Sequence, residues 1–502
     1  MRPFRRFCVA LLAVVVGFVL SAAPPVALAE EQARLLPGPR KGTDIRAELG
    51  LTGVSGWMLV DLATGRVLDA QNADRTFAPA SVAKLPTAAF ALDALGPDYR
   101  FVTELRATAE PKGGTLRGDL ILRGGGNPEL DTDALVPLAR DLAAKGVRKI
   151  TGRLLTDGSA LPQVAEIETA QAEDSSYNPS VSGLNLNYNR VHVKWDARSG
   201  RNALSVEAAS ETLSPPVDSV RVALTNAPGA PIFRLASRKG AEQWQMARRA
   251  FRGRAAKWLP VKRPDLYAGG VFRTLASQHG ISLPSPERGE LRGKLRTLAR
   301  HESRPLGDIL RDMLRFSTNL TAEVTGSAAT RSVGVQAQTL ADSADVMNAW
   351  AASVAGFPAG DPGFRFVNHS GLTIESRVSP RRMVEMLAAF ARREPDAAGR
   401  HPRIPGAIAG YLKRHNVAAK SVPLDYNRLN VVAKTGTMSY VRGLAGYIAT
   451  PQGRQLAFAI FSNDLVRRGG GAQSVNKRWL GRAKGFERAL IRNWVIRTDG
   501  RG

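Results

Sequence analysis

The chain has 502 residues, a formal charge of +26, one cysteine and six histidines. That length fits about three domains and can bury a large core. A single cysteine excludes a disulfide framework, a cysteine-ligated zinc and an iron–sulfur cluster, and His301-Glu302 lacks the second histidine, four residues after the first, that a zinc-peptidase helix needs.

Arg2, Arg5 and Arg6 precede an apolar run from Phe7 to Leu20, and Ala27-Leu28-Ala29 stands before Glu30. A basic start, a short apolar middle and small residues at positions −3 and −1 describe a secretory signal peptide over residues 1–29, cleaved after Ala29. The run is too short for a comfortable membrane span. Cys8 lies inside this leader, so the mature chain would carry no thiol and a charge of +23. A periplasmic or other extracytoplasmic location is expected. There such a charge favours electrostatic contact with anionic wall polymer or the membrane surface, and no nucleic-acid partner is expected.

Gly56 to Asp61 and Arg66 to Ala70 flank Ala63-Thr64-Gly65, which predicts a β-hairpin with a glycine turn. The Ala, Leu and Phe content from Ala83 to Leu95 predicts a helix with Ser81 at or just inside its start. Pro86 falls within it, where a lost ladder bond would cost about 3 kcal/mol. Residues 99–290 read as an inserted α+β body of two subdomains. Its predicted strands are Thr115 to Arg123 and Lys149 to Leu155, its helices Thr132 to Lys145 and Asp265 to His279, with Asn185, Asn187 and Asn189 interrupting the pattern. Between Arg234 and Arg263, ten basic residues face one acid, Glu242, without a clear period. This reads as a solvated surface rather than a docking patch.

Leu306, Ile309, Leu310, Met313 and Leu314 fall at helical spacing. Further helices are predicted at about Gln336 to Val354 and Pro380 to Arg392. Asn430 to Thr437, Gly443 to Thr450 and Arg454 to Ser462 read as strands, the last two as a meander, before a helix from Lys477 to Trp494. The fold class is therefore α/β. One antiparallel sheet, built from residues 30–98 and 291–502 and flanked by helices, carries the rest as an insertion.

Three short elements stand in order: Ser81-x-x-Lys84, Ser317-x-Asn319 and Lys434-Thr435-Gly436. A serine three residues before a lysine on a helix puts an amine within reach of a hydroxyl, as nucleophilic catalysis requires. The tetrapeptide alone is weak, since Ser474-Val475-Asn476-Lys477 repeats it and Ser176-Tyr177-Asn178 repeats the second element. The context of all three, hairpin and helix, helix end, then apolar strand, makes them a set. That set resembles the signature of penicillin-binding proteins and class A β-lactamases.

The resemblance narrows further. His301 to Leu306, Ser317 to Glu323, Val441 to Tyr447 and Gly124-Gly125-Gly126-Asn127-Pro128 are similar to the D-alanyl-D-alanine carboxypeptidase/endopeptidase family of penicillin-binding protein 4 type, peptidase family S13. A long insertion between the first two motifs is typical of that family, and here they lie 236 residues apart. The resemblance implies a β-lactamase/transpeptidase-like domain that acts on peptidoglycan stem peptides through an acyl-enzyme, takes β-lactams as covalent inhibitors, and needs no cofactor or metal. It implies Ser81 as nucleophile, Lys84 as base with its pKa lowered by Lys434 and partial burial, and Ser317 as proton relay. Asn319, Lys434, Thr435, Gly436 and Thr437 would bind substrate, and the N–H groups of Ser81 and Thr437 would form the oxyanion hole.

Two stretches depart from the family pattern. Asn368-His369-Ser370-Gly371-Leu372-Thr373 stands where an aspartate begins the usual segment. Tyr440 stands where glycine is usual, and is expected to narrow the cleft edge. Arg442 suits either a substrate carboxylate or plain surface placement. Two other readings are a β-lactamase, for which a glutamate-bearing deacylation loop of the class A kind is not evident, and a catalytically silent wall-binding protein of the same fold.

Overall fold

The computed structural model describes residues 40–199, 203–229, 231–237, 240–290, 293–393, 407–417, 429–469 and 476–499. The predicted leader, Arg238, Lys239 and Ser474 lie outside them. After α1 (Gly42–Glu48), β1 (Val54–Asp61) and β2 (Val67–Gln71) pair antiparallel as the predicted hairpin. Asp61 Oδ1 accepts from the N–H groups of Ala63 and Thr64, and Gly65 takes φ +70° to close the turn. A 3₁₀ turn over Ala80–Ala83 then leads into α2 (Lys84–Leu95). Because α2 begins at Lys84, Pro86 sits in its first turn, where the missing N–H has no intrahelical acceptor to lose. The expected cost at Pro86 therefore does not arise.

Past the insertion come α3 (Leu306–Phe316), α4 (Asn319–Ser332), α5 (Leu340–Ala355) and α6 (Pro380–Arg393), then β3 (Lys413–His415), β4 (Asn430–Met438), β5 (Val441–Ala449), β6 (Gln455–Asn463) and α7 (Lys477–Asp499). α5 starts later than its sequence pattern suggested, at a capping box formed by Thr339 and Asp342. The six strands form one antiparallel sheet in the order β3-β4-β5-β6-β1-β2. Its closure comes from β1 pairing with β6, Trp57 opposite Ile460, so both ends of the chain build it as the sequence pattern predicts.

Alternation along each strand supplies two apolar faces. Trp57, Leu59, Val431, Phe458 and Ile460 pack against Ile45 of α1 and Phe486, Leu490 and Trp494 of α7. Met58, Val60, Val432, Tyr447 and Phe461 pack against the layer that contains α2 to α6. Among the described residues, β3 pairs with β4 only over Val431–Ala433, and no strand pairs with the edge that carries Lys434-Thr435-Gly436-Thr437.

The inserted residues hold a five-stranded sheet, in the order Pro286–Arg288, Leu154–Asp157, Leu120–Gly124, Val102–Ala107 and Arg296–Glu302. Its last strand lies beyond residue 290, where the sequence pattern places the end of the insertion. Thr115 to Arg123 is not one strand: Thr115–Leu116 and Leu120–Gly124 belong to different sheets. Lys149 to Leu155 divides likewise. The helices Thr132–Ala144 and Pro264–Gln278 match expectation within a residue. Of the basic run, Arg234 lies on the strand Phe233–Ser237 and Arg254 and Lys257 on Arg254–Pro260; Arg234, Arg248, Arg249, Arg252 and Arg254 are exposed as expected, whereas Lys257 and Lys262 are drawn into pairs. The Lys262 side chain is fully buried and pairs with Glu166 at 3.0 Å, while Lys257 meets Asp174.

Asn187, Tyr188 and Asn189 all take positive φ, a conformation asparagine tolerates better than most residues. Asn187 accepts from the Thr132 N–H at 3.0 Å and its amide bonds the Thr132 and Tyr267 hydroxyls. Asn189 donates to Ser180 O and Asn185 Oδ1. These bonds anchor the segment that brings Tyr177 and Tyr188 toward the three motifs. Asn187→Leu should strand several buried partners and destabilise the protein by about 2 kcal/mol or more, seen as a lower melting temperature. An unchanged melting temperature would contradict that role.

Candidate active site

The three sequence elements converge at the junction of α2, α4 and β4. Ala80 takes φ +47° at the first position of the 3₁₀ segment, just before Ser81. Ser81 Oγ lies 3.0 Å from Lys84 Nζ. The same amine donates to Asn319 Oδ1 at 2.8 Å and to Ser370 O at 2.7 Å. A neutral amine has two N–H donors and one lone pair. Two carbonyl acceptors use the donors, which leaves the lone pair for the Ser81 hydroxyl proton.

Ser317 caps the C-terminus of α3 in the left-handed region, φ +61°, and α4 starts two residues later at Asn319. This break aims both side chains of the second element at the site. Lys434 Nζ donates to Ser317 Oγ at 2.9 Å and to Thr435 O at 2.8 Å. Gly436 lies so close to the Ser81 turn that a Cβ there would collide with Pro79 O and press on the Ser81 N–H nitrogen. The absent side chain lets β4 approach Ser81.

Lys84 is entirely buried, and burial holds its pKa well below the usual lysine range. The charge of Lys434 adds to that lowering and Glu323 opposes it, so burial, more than the neighbouring lysine, keeps the amine in its neutral, basic form. Burial, and then Arg442, bring Lys434 down to about 7.

Glu323, within the second-motif stretch but given no role from sequence, is fully buried on α4. Its oxygens accept from the N–H groups of His369 at 3.0 Å and Ser370 at 2.8 Å, which fixes the loop whose Ser370 carbonyl holds Lys84. The acid missing at Asn368 thus has a functional neighbour elsewhere in sequence. Asn368 instead caps the loop, with Oδ1 accepting from Gly371 N at 2.9 Å.

Two further sequence expectations change. Tyr440 does not narrow the cleft: its ring packs edge-on against Trp479 at 5.7 Å and its hydroxyl accepts from Asn476. Arg442 is not a surface residue. It is buried, pairs twice with Glu487 at 2.8 Å, and donates to Thr437 Oγ1. The stretch Ser176-Tyr177-Asn178, a mimic of the second motif, lies beside the real one, where Tyr177 O accepts from Asn319 Nδ2 at 2.8 Å. Nothing local in the sequence marks that contact.

Residues 46–478 match the model of the D-Ala-D-Ala carboxypeptidase 3 (S13) family. The chain belongs to that family. It is a serine-type D-Ala-D-Ala carboxypeptidase by class. This S13 chain is 28% identical over 481 residues to a D-alanyl-D-alanine carboxypeptidase of Actinomadura sp., covering 89% of this chain and 84% of the relative. It is 25% identical over 435 residues to D-alanyl-D-alanine carboxypeptidase DacB of Haemophilus influenzae, covering 81% and 85%. The crystal structure of penicillin-binding protein 4 from Haemophilus influenzae shares the fold, with a TM-score of 0.71 at 20% identity over 91% of this chain and 99% of that one.

His369 is fully buried, its Nε2 2.8 Å from Ser343 Oγ and its ring against Gly326; burial lowers its pKa to about 3. In the unfolded chain the ring takes a proton near its ordinary 6.5, so acid favours unfolding throughout the interval down to about 3. Lowering the pH from 7 to 5 should therefore remove about 2 kcal/mol of stability through this group. In thermal melts, His369→Gln should lose less melting temperature over that step than the parent, and an equal loss would remove His369 as the cause.

Proposed function

We propose that this chain cleaves D-Ala-D-Ala and D-Ala–diaminopimelate peptide bonds of peptidoglycan through an acyl-enzyme on Ser81. The observation that carries the reading is the buried Lys84 amine, 3.0 Å from Ser81 Oγ with both of its donors occupied by carbonyls. Lys84 takes the Ser81 proton as Oγ bonds to the D-Ala carbonyl carbon, and the Ser81 and Thr437 N–H groups hold the developing oxyanion; one such donor is worth about 3 kcal/mol. Ser317 Oγ–H protonates the leaving amine as the C–N bond breaks, and the proton that Lys84 took from Ser81 replaces the one Ser317 lost, with Lys434 holding the Ser317 oxygen, so that Lys84 is a free base again when the amine has left. Water then hydrolyses the ester, with Lys84 again as base. Asn319 and Thr435 orient the peptide along the open edge of β4. Thr437, steadied by Arg442, and cationic Lys434 attract the carboxylate beside the scissile bond.

The peptidase body comprises residues 30–98 and 291–502, with residues 99–290 as its inserted region; the strand pairing of Arg296–Glu302 favours a slightly later junction. Export through the leader 1–29 would place the enzyme at its wall substrate, and β-lactams would acylate the same serine.

Fluorescent penicillin should label the parent and not Ser81→Ala, with the adduct released slowly and D-alanine release reduced at least about 10³-fold in the variant. Equal labelling of the two proteins would sink the reading. The pH profile is a second test. Below the pKa of Lys84 the base is protonated, so kcat/KM should rise with pH. Above the Lys434 pKa, about 7, the carboxylate loses its cation, so kcat/KM should fall again. Lys434→Arg should move the alkaline limb upward, and an unmoved limb would assign it elsewhere.

A further inference from the structure

A pocket of about 440 Å³ opens on the far side of β4 from Lys84. Thr435 and Thr437 form one wall, and the rest includes Arg315 at the end of α3, Lys413 of β3, and Lys484 and Arg488 of α7. Glu487 also lines it, but both its oxygens are taken by Arg442. Among the described residues, none of Arg315, Lys413, Lys484 and Arg488 has a carboxylate partner. Four cations without a carboxylate partner among the described residues thus border Thr435 and Thr437.

Free D-alanine carries a single carboxylate, which Lys434, Thr435 and Thr437 suffice to hold. Four more cations within one concave space have no use for such a leaving group, and they repel one another when the space is empty. A leaving fragment that is itself a peptide, attached through the amine of a diamino acid, brings further carboxylates into this space. The field there would also draw such a fragment in, an effect that weakens with salt.

We propose that this pocket is the leaving-side subsite for a cross-linked stem peptide bearing free carboxylates, recognised by Arg315, Lys413, Lys484 and Arg488. The inference rests on the reading of Ser81 as nucleophile and deepens it. Cross-linked dimers are the favoured substrate, and dimers whose leaving-strand carboxylates are amidated are poorer ones.

The test compares three reactions of the full chain: cleavage of a purified cross-linked muropeptide dimer, release of D-alanine from the monomeric pentapeptide, and acylation by fluorescent penicillin. Lys484→Glu/Arg488→Glu should lower kcat/KM for the dimer about tenfold, chiefly through KM, and leave the other two reactions within about twofold. Lys484→Gln/Arg488→Gln should give a smaller loss of the same pattern, and added salt should weaken dimer cleavage in the parent more than in either variant. Equal losses in all three reactions, or an undiminished dimer rate in both double variants, would overturn the subsite. Loss of the underlying reading is seen separately, as full activity of Ser81→Ala on every substrate.

Discussion

A lysine amine sealed from solvent is the constraint that organises this molecule. Lys84 sits at the start of a helix, sealed between the sheet and the helical layer, with carbonyls of Asn319 and Ser370 on its two donor directions. A charged ammonium in that place would be costly, and among the described residues no carboxylate bonds to it directly. The fold therefore stabilises the neutral, basic form, and the chemistry of the site follows from that single desolvation.

Keeping the amine there takes parts from distant stretches. α4 contributes Asn319 and Glu323; Glu323 pins the Ser370 loop, and the buried His369 ring wedges that loop against Gly326. The sheet contributes Lys434, whose charge adds to the pressure on Lys84 while its own burial leaves it close to titration. Two lysines at neighbouring points of one groove thus have different environments and different duties. Arg442, locked to Glu487, fixes Thr437 on one side of β4, and the inserted region reaches Asn319 through Tyr177 on the other.

The electrostatics are asymmetric across β4. On the nucleophile side the cations are buried and bonded; on the far side Arg315, Lys413, Lys484 and Arg488 ring an open pocket. The surplus of positive charge in the composition is thus concentrated, in part, where an anionic leaving fragment would lie. Elsewhere it is spent on internal pairs such as Lys262 with Glu166.

The hairpin, the meander, the α3 apolar stripe and the order of the three motifs were legible because each depends on neighbours in sequence: strand alternation, helical spacing and turn chemistry are local. The split strands at Thr115 and Lys149 were not, since sheet membership depends on pairing partners far along the chain. Tyr440 and Arg442 were misjudged for a related reason, as both are decided by α7, which the sequence places some forty residues away. Glu323 and Tyr177 carried no local signal at all. By itself the sequence determined the family, the sheet built from both chain ends and the three motifs that meet at the site. Only the tertiary structure decided how deeply Lys84 is buried, which loop holds it and where the unpaired cations gather, because desolvation and charge proximity are properties of three-dimensional packing and not of spacing along a chain.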